Sequence, residues 1–352
     1  MQDNPTSMPA PIRTDRLLTA EWFPAKWNER DQEFAFYLIS PEMLRSSRFA
    51  GDSRFIRTLK PLGFRSMGDL LTTRMSEAKN AVHLHLIFHM AYCCSTLLAR
   101  YLEQSARHLV FKEPSVTSSF ALTVRECSER NELKLLTILC LLNRGFPGQD
   151  LAVVKFNVFE NILANDMVRI YSSATATYII HCLDACIASI LKFAWRVDKA
   201  RAWNMNIYRW AYHRSEKLMK PDSLDDVQTV AFWWLINIKL MNELRVAYGS
   251  RVSVVTANEI AEDPKGVLIR LSSFSGMERI RDRITEMLES GASKEYSKID
   301  GKGYDLEDRK KDMNQSLLKF KDEGLRARQW LLDNFSDAMM QIDPCLYDLA
   351  SR

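Results

Sequence analysis

The sequence predicts an α/β protein: three layers, α/β/α, around a mainly parallel sheet, with extra helices at the C-terminus. Three observations predict it. Five short, nearly continuous apolar runs recur after residue 80; long segments of helical period separate them; and the first run turns sharply into a helix that opens on Ser-Thr. Strands covered by helices on both faces read as unbroken apolar runs. Strands alternating with long helical connections are βαβ units, which pair in parallel.

The elements follow in order. Residues 1–16 are polar and Pro-rich and read as a tail. From 17 to about 80, aromatic and apolar residues alternate with charge ("EWFPAKW", "EFAFYLIS", "DSRFIRTL"), so 1–80 reads as an N-terminal extension packed on the core. The apolar runs lie at 82–89, 109–112, 151–156, 177–182 and 251–256. Helical periodicity marks 95–107, a pair of helices within 116–142, then 185–196 and 225–247. The domain at 81–352 thus divides into a core over 81–277 and a charged helical part over 278–352. One Gly-punctuated loop, "SKIDGKGYD", interrupts the latter. The alternating charges around it mark solvated helix faces.

Composition narrows the function classes. Of 352 residues 47% are apolar and 26% charged, which suits a chain with a full core. The formal net charge is only +4 and no Lys/Arg run forms a stripe, so nucleic acid is not an expected partner and any anion site is local. The greasiest stretch, "VAFWWLINIKLM" at 230–241, is too short for a bilayer and carries Asn237 and Lys239, so no membrane span is expected. The N-terminus lacks the basic-then-apolar pattern of a secretory signal. Seven cysteines without framework spacing suit a reducing compartment, and the expected location is cytoplasmic.

The chemistry concentrates at "HMAYCCSTLLAR", 89–100, where the first strand turns into its helix. A helix N-terminus presents unpaired N–H groups and the positive end of the dipole, which suits an anion. Ser95 and Thr96 can cap that helix and offer hydroxyls to a phosphate. Phosphate loops usually carry Gly, for close backbone approach, and Lys, for charge. Here Tyr92, Cys93 and Cys94 stand in the loop instead, so the corner by itself reads equally as an anion cradle or a capped turn.

Together with three further segments, this corner resembles the sulfotransferase family. The family's 5′-phosphosulfate loop runs basic residue, Ser, Gly, Thr, Thr or Ser, often with a following Leu pair; "YCCSTLL", 92–98, lies over it. "FKEP", 111–114, places Glu113 where tyrosylprotein-type members carry a catalytic Glu at the end of the next strand. "IIHCLDACIAS", 179–189, resembles the 3′-phosphate motif, with Ser189 eight residues after His181, which stands where the family has Arg. "NEIAEDPKGVLIRLSSFSG", 258–276, is similar to the closing scaffold of bacterial members.

The resemblance spans about 81–277 and implies a P-loop NTPase-like, sulfotransferase-like fold. It also implies 3′-phosphoadenosine 5′-phosphosulfate (PAPS) as co-substrate and adenosine 3′,5′-bisphosphate (PAP) as product, with no metal. Tyr92, Cys93, Cys94, Ser95, Thr96 and Leu97 would form the loop around the 5′-phosphosulfate. His181 and Ser189 would meet the 3′-phosphate, joined by Lys298, with Lys302 as a further candidate, from the late loop. Glu113 would be the general base toward a hydroxyl or amine. Lys155, at the end of "LAVVK", or else Arg100 or Lys112, would supply the charge that position 92 lacks.

Other readings stay open beside this one. Adjacent Cys93 and Cys94 make a poor chelate, and Cys182 with Cys186 suits packing better than a metal site. His83, His85 and His89 have no acidic companion and read as packing or edge residues. With charge absent at 92 and 181, a catalytically degenerate binding or accessory protein is the alternative. A nucleotide-dependent kinase is weaker still, because the Gly-x4-Gly-Lys-Ser/Thr pattern is absent. The acceptor would be a small molecule or peptide. The aromatic stretch "RAWNMNIYRWAYHR", 201–214, and parts of 115–145 are the expected pocket walls.

Overall fold

The computed structural model describes residues 19–72, 81–124, 129–212, 221–289 and 306–347. The tail at 1–16 and the loop "SKIDGKGYD", with Lys298 and Lys302, lie outside them. At the N-terminus, β1 (Trp22–Asn28), β2 (Glu33–Leu38) and β3 (Lys60–Ser66) form an antiparallel sheet in that order. Phe34 and Phe36 are fully buried within it. The five expected strands then follow: β4 (His83–His89), β5 (His108–Lys112), β6 (Leu151–Lys155), β7 (Thr175–Ile180) and β8 (Val252–Thr256). They pair in the order β5-β6-β4-β7-β8, every pair parallel.

Every residue of β5, β6 and β7 is buried, so both faces of the sheet are covered. Helix Ser95–Glu103 packs on β5 and β6, and the long helix Asp226–Tyr248 on β7 and β8. The fold is therefore the helix-flanked parallel α/β architecture that the sequence predicts. From central β4 the chain runs first to one side, through β5 and β6, and later to the other, through β7 and β8. Such a reversal opens a crevice beyond the carboxyl ends of the central strands. Parallel register sets the ends of β5 and β6 level, Lys112 opposite Lys155.

Polar residues inside the sheet are paired. His85 meets the Thr175 and Thr177 hydroxyls at 2.9 and 3.0 Å, and burial lowers it to about 3, which keeps it neutral. Asn237, within the greasy 230–241 stretch, accepts from Tyr178 and Asn161 and donates to the Trp233 carbonyl. Among the described residues no helix is long and apolar enough to cross a membrane.

Two boundaries differ from the sequence reading. The helix expected at 95–107 stops at Glu103, where a turn lets His108 bond the Leu102 carbonyl. The segment expected as one helix at 185–196 is two, Leu183–Leu191 and Ala194–Tyr212. No Gly or Pro marks that break.

The N-terminal sheet is fastened to the parallel one. The Phe23 and Phe111 rings stack with centroids 5.6 Å apart. Buried Arg144 donates to the Trp22 carbonyl at 2.6 Å and to the Leu141 carbonyl at 2.7 Å. Removing it strands two buried acceptors. R144M is expected to destabilise the protein by about 1–3 kcal/mol in urea unfolding; unchanged stability would show that the two sheets do not depend on this tie.

Candidate functional site

A cleft of about 610 Å³ opens at the carboxyl edge of the sheet. Its wall contains Tyr92, Cys93, Cys94, Ser95, Thr96 and Leu97 from the loop, together with Glu113, Lys155 and Ser189. The topology explains the gathering, since each of these follows or ends a parallel strand, or sits on the helix after one. The structure thus brings together nearly all the residues singled out in the sequence. Lys298 lies outside the described residues.

The loop holds its shape without glycine. Tyr92 and Cys94 take left-handed backbone angles, φ 63° and 62°, and so does Glu113 at φ 55°. Each such residue with a Cβ costs about 1–2 kcal/mol, so the surroundings must hold it. The Cys93 thiol donates to the Met90 carbonyl at 2.8 Å, and burial pushes that thiol up to about 12, away from reactivity. His89 sits below with Nδ1 2.7 Å from the Met90 carbonyl and Nε2 2.9 Å from the Phe156 carbonyl. A carbonyl only accepts, so each contact is made by an N–H on the ring nitrogen that faces it.

Ser95 and Thr96 are the first two residues of the helix. The cap position belongs to Cys94, whose side chain makes no capping bond. The first intrahelical bond runs from the Leu98 amide to the Cys94 carbonyl, 3.1 Å. The Ser95 amide and hydroxyl reach the Cys93 sulfur, while Cys94 caps none of the opening amides, an arrangement that can receive an anion.

His181 has a different task from the one the resemblance implies. It is buried behind the loop, outside the cleft wall, and its Nε2 lies 3.0 Å from the Tyr92 carbonyl. Because that bond needs an N–H, the proton sits on Nε2, and Nδ1 is left buried without a partner. Burial lowers the ring to about 4. A neutral, walled-off imidazole cannot serve as the phosphate's cation; it is a strut for the loop.

Lys112 is also not a cleft residue. Its Nζ bonds both Glu103 oxygens, at 2.6 and 2.7 Å, in a buried pair. Lys155 does line the cleft, with its Nζ against a Glu113 oxygen, while Asn157 Nδ2 approaches the other oxygen at 3.3 Å. The Glu113 side chain remains 22% exposed, so the held carboxylate still faces solvent. Behind it Gly51 makes a close approach: a Cβ there would sit 2.4 Å from the Glu113 carbonyl oxygen.

Sequence reasoning missed most of the positive charge. Arg48, Arg196, Lys199 and Arg309 join Lys155 in the wall, against the carboxylates of Glu113 and Asp312. Arg309 comes from helix Leu306–Lys319 and bonds the Cys94 thiol. Asp312, on the same helix, pairs with Lys192. Arg48 comes from the N-terminal segment, where the Ala50 amide bonds the Lys112 carbonyl at 2.6 Å. None of these positions belongs to a motif; only Asn157, two residues beyond Lys155, and Arg196, seven beyond Ser189, lay near one.

Two predictions follow from these contacts. H181R puts a longer charged side chain into a filled slot and is expected to cost about 1–3 kcal/mol in urea unfolding, without tightening anion binding; H181Q, whose amide can reach the same carbonyl, is expected to lose less. The second concerns Glu160, buried beside the cleft with Ser118 donating to one oxygen and no partner on the other. Burial raises its carboxyl from 4.5 to about 8. The unfolded chain releases this proton first, so the contribution to stability is complete below pH 4.5 and is lost as pH rises to 8. E160Q is expected to raise Tm at pH 8 and leave it nearly unchanged at pH 4.5; equal shifts at both would refute a protonated Glu160.

No protein-family model and no curated protein matches the chain. Among solved structures, a sulfotransferase from Alicyclobacillus acidocaldarius aligns with 72% of this chain and 98% of its own, at 17% identity and a TM-score of 0.31. A likeness at that level leaves the fold to rest on the strand order and register described above.

Proposed function

We propose that the chain is a sulfotransferase that moves a sulfuryl group from PAPS to a hydroxyl or amine of a small-molecule or peptide acceptor. One observation carries the reading: Glu113 and a left-handed loop at an uncapped helix N-terminus line one cationic cleft at the carboxyl edge of a parallel sheet. The cleft volume falls within roughly 300–1,000 Å³, the range of small-ligand sites. The opening amides with Ser95, Thr96 and Leu97 would hold the 5′-phosphosulfate, on a loop shaped by Tyr92, Cys93 and Cys94. Ser189 would meet the 3′-phosphate.

In the transfer, the acceptor oxygen or nitrogen attacks sulfur while its proton passes to a Glu113 oxygen. The new O–S or N–S bond forms as the bond from sulfur to the 5′-phosphate oxygen breaks. The electron pair of that bond leaves with PAP. Lys155 and Asn157 fix the carboxylate, so the base is aimed before the acceptor arrives.

Binding without transfer is the second reading, and one observation favours it. Neither position 92, a tyrosine, nor position 181, a buried histidine, places its own charge in the cleft.

PAP is expected to raise Tm, and ATP with magnesium to leave it unchanged. With PAPS and a panel of phenols, alcohols and amines, E113Q is expected to lower PAP release by at least about 100-fold while still binding PAP. Full turnover in E113Q would remove Glu113 from the reaction. No release of PAP by wild type that binds it would favour the second reading, and no PAP shift at all would remove the sulfuryl donor.

A further inference from the structure

Among the described residues, Arg196 is a buried cation with no counter-charge. It is 8% exposed and lines the cleft. One guanidinium nitrogen donates to the Ser189 carbonyl, and Nε has no hydrogen-bond partner. The acids of the cleft wall are engaged elsewhere, Glu113 with Lys155 and Asp312 with Lys192. Among the described residues no carboxylate pairs with Arg196.

Aromatic rings hold the guanidinium instead. Its central carbon lies 4.1 Å from the Tyr92 ring centroid, 4.6 Å from that of Phe193 and 5.4 Å from that of Trp195. The Tyr92 and Trp195 rings meet edge-to-face at 6.1 Å, which fixes the shelf. Ring faces attract a cation but accept no N–H bonds in the plane of the fork. A buried guanidinium with unused donors is costly unless an anion completes it. Its planar fork is the side chain best matched to a phosphate.

We propose that Arg196 is the anion-gripping cation of the cleft, set on the Tyr92 ring to receive a phosphate group of the ligand beside Ser189. Tyr92 thereby keeps a positive charge at the loop through the cation stacked on it rather than through its own side chain. The break between helices Leu183–Leu191 and Ala194–Tyr212 is what brings Arg196 back over Ser189 and the loop. The identity of the ligand rests on the sulfotransferase reading; the presence of an anion does not.

The rival account makes Arg196 a pin that fastens its helix to the loop, with effects on stability alone. Calorimetric titration of the full chain with PAP, at two salt concentrations, separates the two. R196Q and R196M are expected to bind PAP about 10–100-fold more weakly, with a shallower salt dependence. Wild-type affinity in both variants overturns the assignment and leaves the sulfotransferase reading standing. Should the neutral variants fail to fold, R196K decides: the charge remains but the fork is lost, so affinity is expected to fall about tenfold with the salt dependence kept, and unchanged affinity overturns the proposal. Inorganic pyrophosphate provides the independent arm. If wild type binds pyrophosphate but not PAP, and R196Q loses pyrophosphate, Arg196 stands and the sulfotransferase reading falls. Wild type that binds neither overturns both.

Discussion

The hydrogen bond from His181 to the Tyr92 carbonyl is the constraint on which the cleft depends. Two non-glycine residues of the loop sit in left-handed geometry, and a chain left to itself would relax them. Three buried groups prevent this. His181 holds the Tyr92 carbonyl, while the Cys93 thiol and His89 both take the Met90 carbonyl. His181 is in turn fixed by its place after β7 and by Trp234, whose ring N–H bonds the His181 carbonyl at 3.0 Å. The long helix Asp226–Tyr248 therefore braces the loop from behind, and Trp234 is scaffold for the site.

The same scheme extends down the sheet. Asn161 bonds the His89 carbonyl and reaches Asn237, which also accepts from Tyr178. Buried polar side chains run from the long helix to the end of β4, so the loop inherits the rigidity of the core. On the far side of the cleft Glu113 is equally determined. Its amide bonds the Lys155 carbonyl, its carboxylate meets Lys155 and Asn157, and Gly51 presses on its carbonyl. Such over-determination is what a positioned acid or base requires.

The fold was legible because strands buried on both faces leave an unmistakable trace. All five runs became the five parallel strands, and the strand-to-helix corner fell where "HMAYCCSTLLAR" put it. The N-terminal antiparallel sheet was harder to see. β1 and β2 are rich in aromatics, but two register shifts and a proline in β1 blur their alternation. The break before Ala194 was illegible for a related reason. It coincides with tertiary contacts of Trp195 and Arg196 with Tyr92, and no Gly or Pro announces it. Motif spacing singled out the loop, Glu113, Lys155 and Ser189, which the fold gathers in one cleft wall because they follow strand ends. It misassigned His181, since a spacing records which residue stands at a position and not which way its ring is turned. It missed Arg48, Arg196 and Arg309, which reach the cleft from segments that share no motif.

Arg48 precedes the parallel core in sequence and Arg309 follows it, yet both stand in the wall of one cleft. A growing polypeptide emerges N-terminus first, and the parallel core between these residues can collapse before helix Leu306–Lys319 leaves the ribosome. The core alone would present the loop without Arg309 against Cys94 and without Asp312 against Lys192. The wall that Arg309 and Asp312 supply is thus added after the loop and Arg196 are already in place.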